Sequence, residues 1–266
     1  MPRQQIFIAV IALLIVVGLY QLPTVVVDNE DSSTFSESTE TEDTEVHVIE
    51  LPDSVESHLL ILKDKLQASN SLKKSAIFAD SLARTFLIYD YLDSAAVYAE
   101  IILGLDTTGY RELAGDVYYR IFGLAKGSAV ERYGSRVREI YQSITENTPR
   151  PDLEARMAMT LVPGNDPMKG ILRLRELVEE NPDNLEAQYN LGLLSIQSGQ
   201  FDRAVERFLV VTKLDPENVE GYFYLGVSYL ETGENDKAKE SFSKVMKQGN
   251  DPAIIKLVED YLSKIN

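Results

Sequence analysis

The strongest constraint on this chain is that it repeats itself. Residues 185–218 lie over 219–252 without a gap, as two adjacent blocks of 34 residues. Tyr189, Asn190, Leu191 and Gly192 fall on Phe223, Tyr224, Leu225 and Gly226. Ser198 and Gly199 fall on Thr232 and Gly233, Ala204 on Ala238, Phe208 on Phe242, and Val211 on Val245. A period of this length predicts one supersecondary unit per block, stacked on its neighbour because so small a unit cannot cover its apolar face alone.

Each block reads as two helices. The first is expected to end before Gly199 or Gly233, where a residue free to take positive φ stops a helix cheaply. In the second, Phe201, Ala204, Val205, Phe208 and Val211 recur at i, i+3, i+4, i+7 and i+10, one apolar stripe. Asp215 and Pro216 then end it, since proline does not tolerate a helix interior. Gly192, Ala204, Gly226 and Ala238 are small where the two helices of a pair must come close.

These positions resemble the tetratricopeptide-repeat (TPR) family, with a small residue at repeat position 8, Ala at 20, an aromatic at 24 and Pro near 32. Gly192, Ala204, Phe208 and Pro216 match, as do Gly226, Tyr229, Ala238 and Phe242. One period back, 151–184 has Ala158, Gly170, Leu174 and Pro182 in the same places. It departs from the pattern at Pro163, Gly164, Asn165, Asp166 and Pro167, a prolonged turn that predicts a short first helix. The resemblance implies an all-α solenoid of helix-turn-helix units wound as a right-handed superhelix, with three repeats over 151–252.

Upstream, 52–150 reads as helical with degenerate repeats. Ala83, Phe86, Leu92, Ala95 and Ile102 keep the spacing of positions 8, 11, 17, 20 and 27 in a 76–109 frame. Residues 110–148 hold two helical stretches split near Lys126, Gly127 and Ser128, but their length is wrong by about five residues for a repeat. Residues 53–67 predict a leading helix with Asp53 or Ser54 as N-cap and Val55, Leu59, Leu62 and Leu66 on one face. Residues 253–266 predict a terminal helix with Ile254, Leu257, Val258 and Leu262 on one side. Its charged other side is what a solenoid needs to close its end, so the C-terminus reads as complete.

The N-terminal segment is of another kind. Residues 6–20 carry no charge, and 5–27 behind a short flank, 1–4, are expected to be a transmembrane anchor. At about 1.5 Å per residue, some twenty of them cover the roughly 30 Å hydrocarbon core. Cleavage as a signal peptide is the alternative; Val16, Val17 and Gly18 could serve as its site, but they lie inside the apolar run. Arg3 precedes the run and the next basic residue is Lys63, which predicts a cytoplasmic N-terminus and a periplasmic bulk. Residues 28–51 read as an acidic disordered linker. Nine Asp and Glu with no Lys or Arg lie between Asp28 and Glu50, and as a flexible coil they would span about 25 Å.

The composition narrows the chemistry. The net charge is −16, which argues against nucleic acid, because affinity for phosphate backbones comes chiefly from Lys and Arg displacing counterions. Cysteine is absent, so no thiolate nucleophile, thiolate metal site or disulfide exists. His47 and His58 are not spaced as metal ligands, no nucleophile elbow or phosphate-binding glycine loop is present, and Glu179 and Glu180 sit beside Arg173 and Arg175 as solvated charges. No catalytic residue, metal or cofactor is expected.

In the TPR family the first helices line a concave groove near positions 2, 5, 6, 9, 12 and 13. The resemblance carries these onto Glu186, Tyr189, Asn190, Leu193, Ile196 and Gln197, and onto Glu220, Phe223, Tyr224, Val227, Leu230 and Glu231. Of the basic and amide side chains that clamp a C-terminal carboxylate in some relatives, only Asn190 is present. An apolar lining with acid at its edge suits a short peptide with an apolar anchor and a basic flank. The expectation is a membrane-anchored adaptor for proteins or peptides, serving assembly or quality control of cell-envelope proteins. Its alternative is a self-associating scaffold, joined through the groove or through Tyr89, Tyr91, Tyr98, Tyr118 and Tyr119.

Overall fold

The computed structural model describes residues 51–105, 108–146, 148–164, 166–249 and 251–265. The expected anchor and all of the acidic linker but Leu51 lie outside the described residues. Among the described residues there are helices and no strands, and no helix is long and apolar enough to cross a membrane. The helices are α1 (Asp53–Gln67), α2 (Leu72–Ile88), α3 (Leu92–Leu103), α4 (Thr108–Leu124), α5 (Ser128–Thr145) and α6 (Pro151–Met159). They continue with α7 (Pro167–Glu180), α8 (Leu185–Gln197), α9 (Phe201–Leu214), α10 (Val219–Glu231), α11 (Asn235–Gln248) and α12 (Pro252–Ile265).

Five helix pairs, α2/α3 to α10/α11, stack between α1 and α12. First helices of successive pairs approach one another directly, α2 to α4, α6 to α8 and α8 to α10, and no two second helices approach as closely. That asymmetry curves the stack with the first helices inside.

The turns between pairs repeat at atomic detail. In Asn181–Asn184 and Asp215–Asn218 the first side chain accepts the N–H two residues on, at 3.1 and 3.2 Å. The last side chain caps the next helix: Asn184 Oδ1 accepts from the Ala187 N–H and Asn218 Oδ1 from the Gly221 N–H. Within pairs, Gly199 (φ 71°) and Gly233 (φ 80°) are left-handed, and the N–H of the next residue closes on a carbonyl five residues back. Asp90, the equivalent position of the 76–109 frame, takes the same conformation at φ 60° without the freedom of glycine, with the Tyr91 N–H closing on Phe86.

Inside each C-terminal pair a glycine faces a ring. A Cβ on Gly192 would stand 2.7 Å from Phe208, and one on Gly226 2.6 Å from Phe242; both rings are fully buried. The α4/α5 pair rebuilds this seat from different spacing. A Cβ on Gly115 would meet Tyr141 at 2.4 Å. There α4 and α5 run 17 and 18 residues, against 13 and 14 in α8 and α9, so the surplus length of 110–148 lies in the helices. The α6/α7 pair has no ring. Instead Gly170 lets α7 rest on the backbone of α6, where a Cβ would strike the Ala158 carbonyl at 2.4 Å.

The two end helices correct the expected details. The N-cap of α1 is Pro52, whose carbonyl accepts from Val55 and Glu56, with Asp53 already in the first turn. On α12 the buried side is Val258 flanked by Ile254, Tyr261, Leu262 and Ile265, and Leu257 is 44% exposed, turned off the edge of that stripe. Tyr261 stacks on Phe242 at 5.6 Å and extends the core into the cap.

Two opposite glycine exchanges test this packing. Gly226→Ala should lower stability by about 1–3 kcal/mol despite alanine's better helix propensity, because the added methyl overpacks a seated ring. Asp90→Gly should raise it by about 1 kcal/mol by relieving a left-handed non-glycine residue. Urea unfolding measures both, and an unchanged midpoint for Gly226→Ala would show that the ring is not seated as described.

Candidate partner-binding face

The twelve expected groove residues do not share one environment. On α8, Gln197 is exposed, Glu186, Tyr189, Leu193 and Ile196 are half-buried, and Asn190 is 2% exposed. On α10, Glu220 and Glu231 are exposed, and Phe223, Tyr224, Val227 and Leu230 are half-buried.

The aromatic members interlock. Tyr189 meets Phe208 and Tyr224 edge-on, Tyr224 stacks on Phe208 at 5.5 Å, and Phe223 contacts Tyr224, Phe242 and Tyr261. The Tyr189 hydroxyl donates to Glu220 Oε2 at 2.7 Å, and burial together with that carboxylate pushes its pKa up. Tyr189 and Phe223 therefore staple α8, α10 and α12, and their first role is structural. Outside this interlock, Leu193, Ile196, Val227 and Leu230 remain half-buried, and Gln197, Glu220 and Glu231 are exposed on the same two helices.

Toward α4 this face becomes polar. Arg156 Nη1 donates to Asp116 Oδ1 at 2.7 Å, and the Tyr141 hydroxyl donates to the same oxygen. The guanidinium lies over the Tyr119 ring at 5.6 Å and pairs with Glu186 at 3.2 Å. Burial raises the Glu186 pKa, opposed by Arg156, and burial raises those of Tyr119 and Tyr141. Asn190 is close enough to bias Tyr119 and Glu186, yet its Nδ2 is buried without a well-formed hydrogen bond. Asn190 is thus a buried member of this cluster and not the open amide expected from its groove position.

Asp116, Tyr119 and Arg156 were absent from the expected groove. Arg156 holds position 6 of the 151–184 frame, as Asn190 does one period later, so carrying the frame back one repeat finds it. Asp116 and Tyr119 have no such signal, because α4 is longer than a repeat helix. The tyrosines of the α2–α5 region are largely consumed by packing. Tyr98 stacks on Phe86, Tyr91 meets Phe86 edge-on, Tyr119 stacks on Phe122, and Tyr118 is buried with its hydroxyl on Glu100.

Arg150 ties α6 to α4 by a two-pronged grip on Glu112, at 2.8 and 2.9 Å, while also holding Asp152. Beside α6, a cavity of about 560 Å³ opens between α5, α6 and α7, floored by Met157, Leu161, Met168 and Leu172. The helix beside it, α6, has only nine residues. Among the described residues no group of His, Asp or Glu is placed to hold a metal ion, and His58 is exposed on α1. Arg173 closes on Glu154, Glu176 and Glu180, so the acidic pair Glu179 and Glu180 stands beside a structural ion pair.

Residues 192–233 match the sequence model of the TPR repeat, and 220–248 match a second, tetratricopeptide-repeat model. The chain therefore carries TPR repeats in its C-terminal part. A comparison with curated proteins finds no match. Among solved structures, the chain is similar to YrrB, described as a TPR protein with an unusual peptide-binding site. Identity is 20%, over 75% of this chain and 97% of that one, with a TM-score of 0.39. It is also similar to MamA at 19% identity, over 63% of this chain and 94% of that one, again with a TM-score of 0.39.

The Arg150 grip should make the α4–α6 junction acid-sensitive. The hydrogen bonds from Arg150 hold the Glu112 pKa below its ordinary value. A depressed folded pKa contributes stability that is fully present above the unfolded value, near ~4.3, and lost as pH falls through the folded value. In urea unfolding the stability difference between wild type and Arg150→Gln should be constant above about pH 5 and shrink on acidification. A difference independent of pH would contradict this.

Proposed function

We propose that the chain is a partner-binding adaptor whose first-helix face takes a short peptide segment with an apolar anchor and a basic flank. The observation that carries this is the strip Leu193, Ile196, Val227 and Leu230, set on a scaffold of interlocked rings and edged by Glu220 and Glu231. Repeats of this kind supply continuous surface, and the strip is apolar where a peptide side chain would lose water and acidic where a basic flank would lie. A binding role is also favoured over catalysis because the titratable cluster around Arg156 is closed on itself as a structural ion-pair network.

The uncharged run 6–20 supports a further part of the reading, that the adaptor works at a membrane. With Arg3 as the only basic residue before it, the repeats would sit on the periplasmic side and serve assembly or quality control of envelope proteins.

Val227→Asp with Leu230→Asp should reduce partner capture by the full chain in intact membranes at least about tenfold, with the helical circular-dichroism signal retained. Unchanged capture with an intact fold would contradict the assigned face. Tyr189→Ala with Phe223→Ala should instead lower stability, since those rings are core. Release of the wild-type chain from membranes by an alkaline carbonate wash would overturn the anchor.

A further inference from the structure

The chain is strongly acidic, and its arginines are mostly consumed by carboxylates. Arg132, Arg136, Arg138, Arg150, Arg156 and Arg173 each close on at least one Asp or Glu. Among the described residues Arg175, Arg203 and Arg207 make no ion pair, and all three line one pocket of about 280 Å³ between α7, α8 and α9. Arg207 donates to Gln188 Oε1 at 2.8 Å and Arg203 to Gln200 Oε1 at 2.8 Å, neutral acceptors that leave neither guanidinium in an ion pair. No acidic residue lines the pocket. Its apolar walls are Val162, Ile171, Leu191 and Leu194, and Gln197, expected in the first-helix groove, stands in its lining.

We infer that Arg175, Arg203 and Arg207 form a second binding site, which takes an acidic peptide segment whose carboxylate adjoins an apolar side chain. Guanidinium forks match carboxylates two bonds at a time, and the pocket places apolar wall beside them. Its volume of about 280 Å³ has room for a side chain or two. No aromatic ring lines it, so a base has nothing to stack on. The net charge of −16 repels long polyanions and anionic membranes, while a short acidic segment meets the local field of three cations. Burial, with Arg175 and Arg203 adding repulsion, holds the Arg207 guanidinium below its ordinary pKa, and the neighbouring Glu206 only partly offsets this. The site lies between α7, α8 and α9 and shares with the proposed first-helix face only the bordering Gln197.

The probe is fluorescein-labelled acetyl-Glu-Leu-Glu-Leu-Glu-amide, titrated against the full chain in neutral detergent by fluorescence anisotropy. Saturable binding is expected, weakening with salt and falling at least about tenfold in Arg175→Gln with Arg203→Gln. Both side chains are exposed, so the fold should persist, and the circular-dichroism signal checks it. Arg175→Lys with Arg203→Lys should lie between, keeping the charge and losing the fork, and Val227→Asp with Leu230→Asp should bind as wild type. The inference is overturned by no binding, by equal binding of the Lys-Leu-Lys-Leu-Lys counterpart, or by unchanged affinity in the folded glutamine variant. Displacement by inorganic phosphate at equal concentration would overturn it too, as would binding to phosphatidylglycerol vesicles in place of the peptide.

Discussion

A glycine on one helix seated against an aromatic ring on the next is the contact on which the rest of this structure depends. At Gly192 with Phe208, at Gly226 with Phe242 and at Gly115 with Tyr141, there is no room for a β-carbon. The ring fills the gap between the two helices and sets how closely they approach. Burying one such ring contributes about 2–3 kcal/mol. The seat also has geometric consequences. Once the two helices are locked, the second face of the first helix is free to meet the neighbouring pair, and the stack can extend by repetition.

What propagates the stack differs along it. Between α8, α10 and α12 the joint is aromatic, built from Tyr189, Tyr224, Phe223 and Tyr261. Between α4, α6 and α8 it is ionic, built from Glu112, Arg150, Asp116, Arg156 and Glu186. The buried core divides in the same place, with a small separate cluster of Ala155, Ala158, Leu174, Leu177, Ala187 and Leu191 beside two larger ones. Partly buried ion pairs fix register more than they add stability, since desolvation offsets much of their attraction. The short α6 and the glycine contact of α7 make this the thinnest part of the solenoid, and the cavity lies beside them.

The C-terminal pairs were legible because their determinants are residues of particular size at a fixed period: Gly192, Phe208 and Pro216 recur as Gly226, Phe242 and, in the earlier copy, Pro182. The α4/α5 pair was legible as helices only. Gly115 and Tyr141 stand further apart in sequence than Gly192 and Phe208, so a search at constant spacing passes over them. The expected groove was legible as positions but not as environments. Repeat phase says that Asn190 faces the inside of the stack, and cannot say that Arg156 and Tyr119 arrive from neighbouring pairs to enclose it. The three unpaired arginines had no signal at all, because being unpaired depends on which carboxylates the fold carries away.

On the proposed function an apolar anchor docks on the first-helix face, and the exposed apolar residues of the second helices outside the arginine pocket are ordinary surface. A photoreactive side chain at Leu230 on α10 and, separately, at Leu209 on α9, which is 45% exposed, compares the two faces in intact cells. Crosslinking to a discrete partner from position 230 and not from position 209 is the predicted result. A partner caught from position 209 alone, or equally from both, would contradict it.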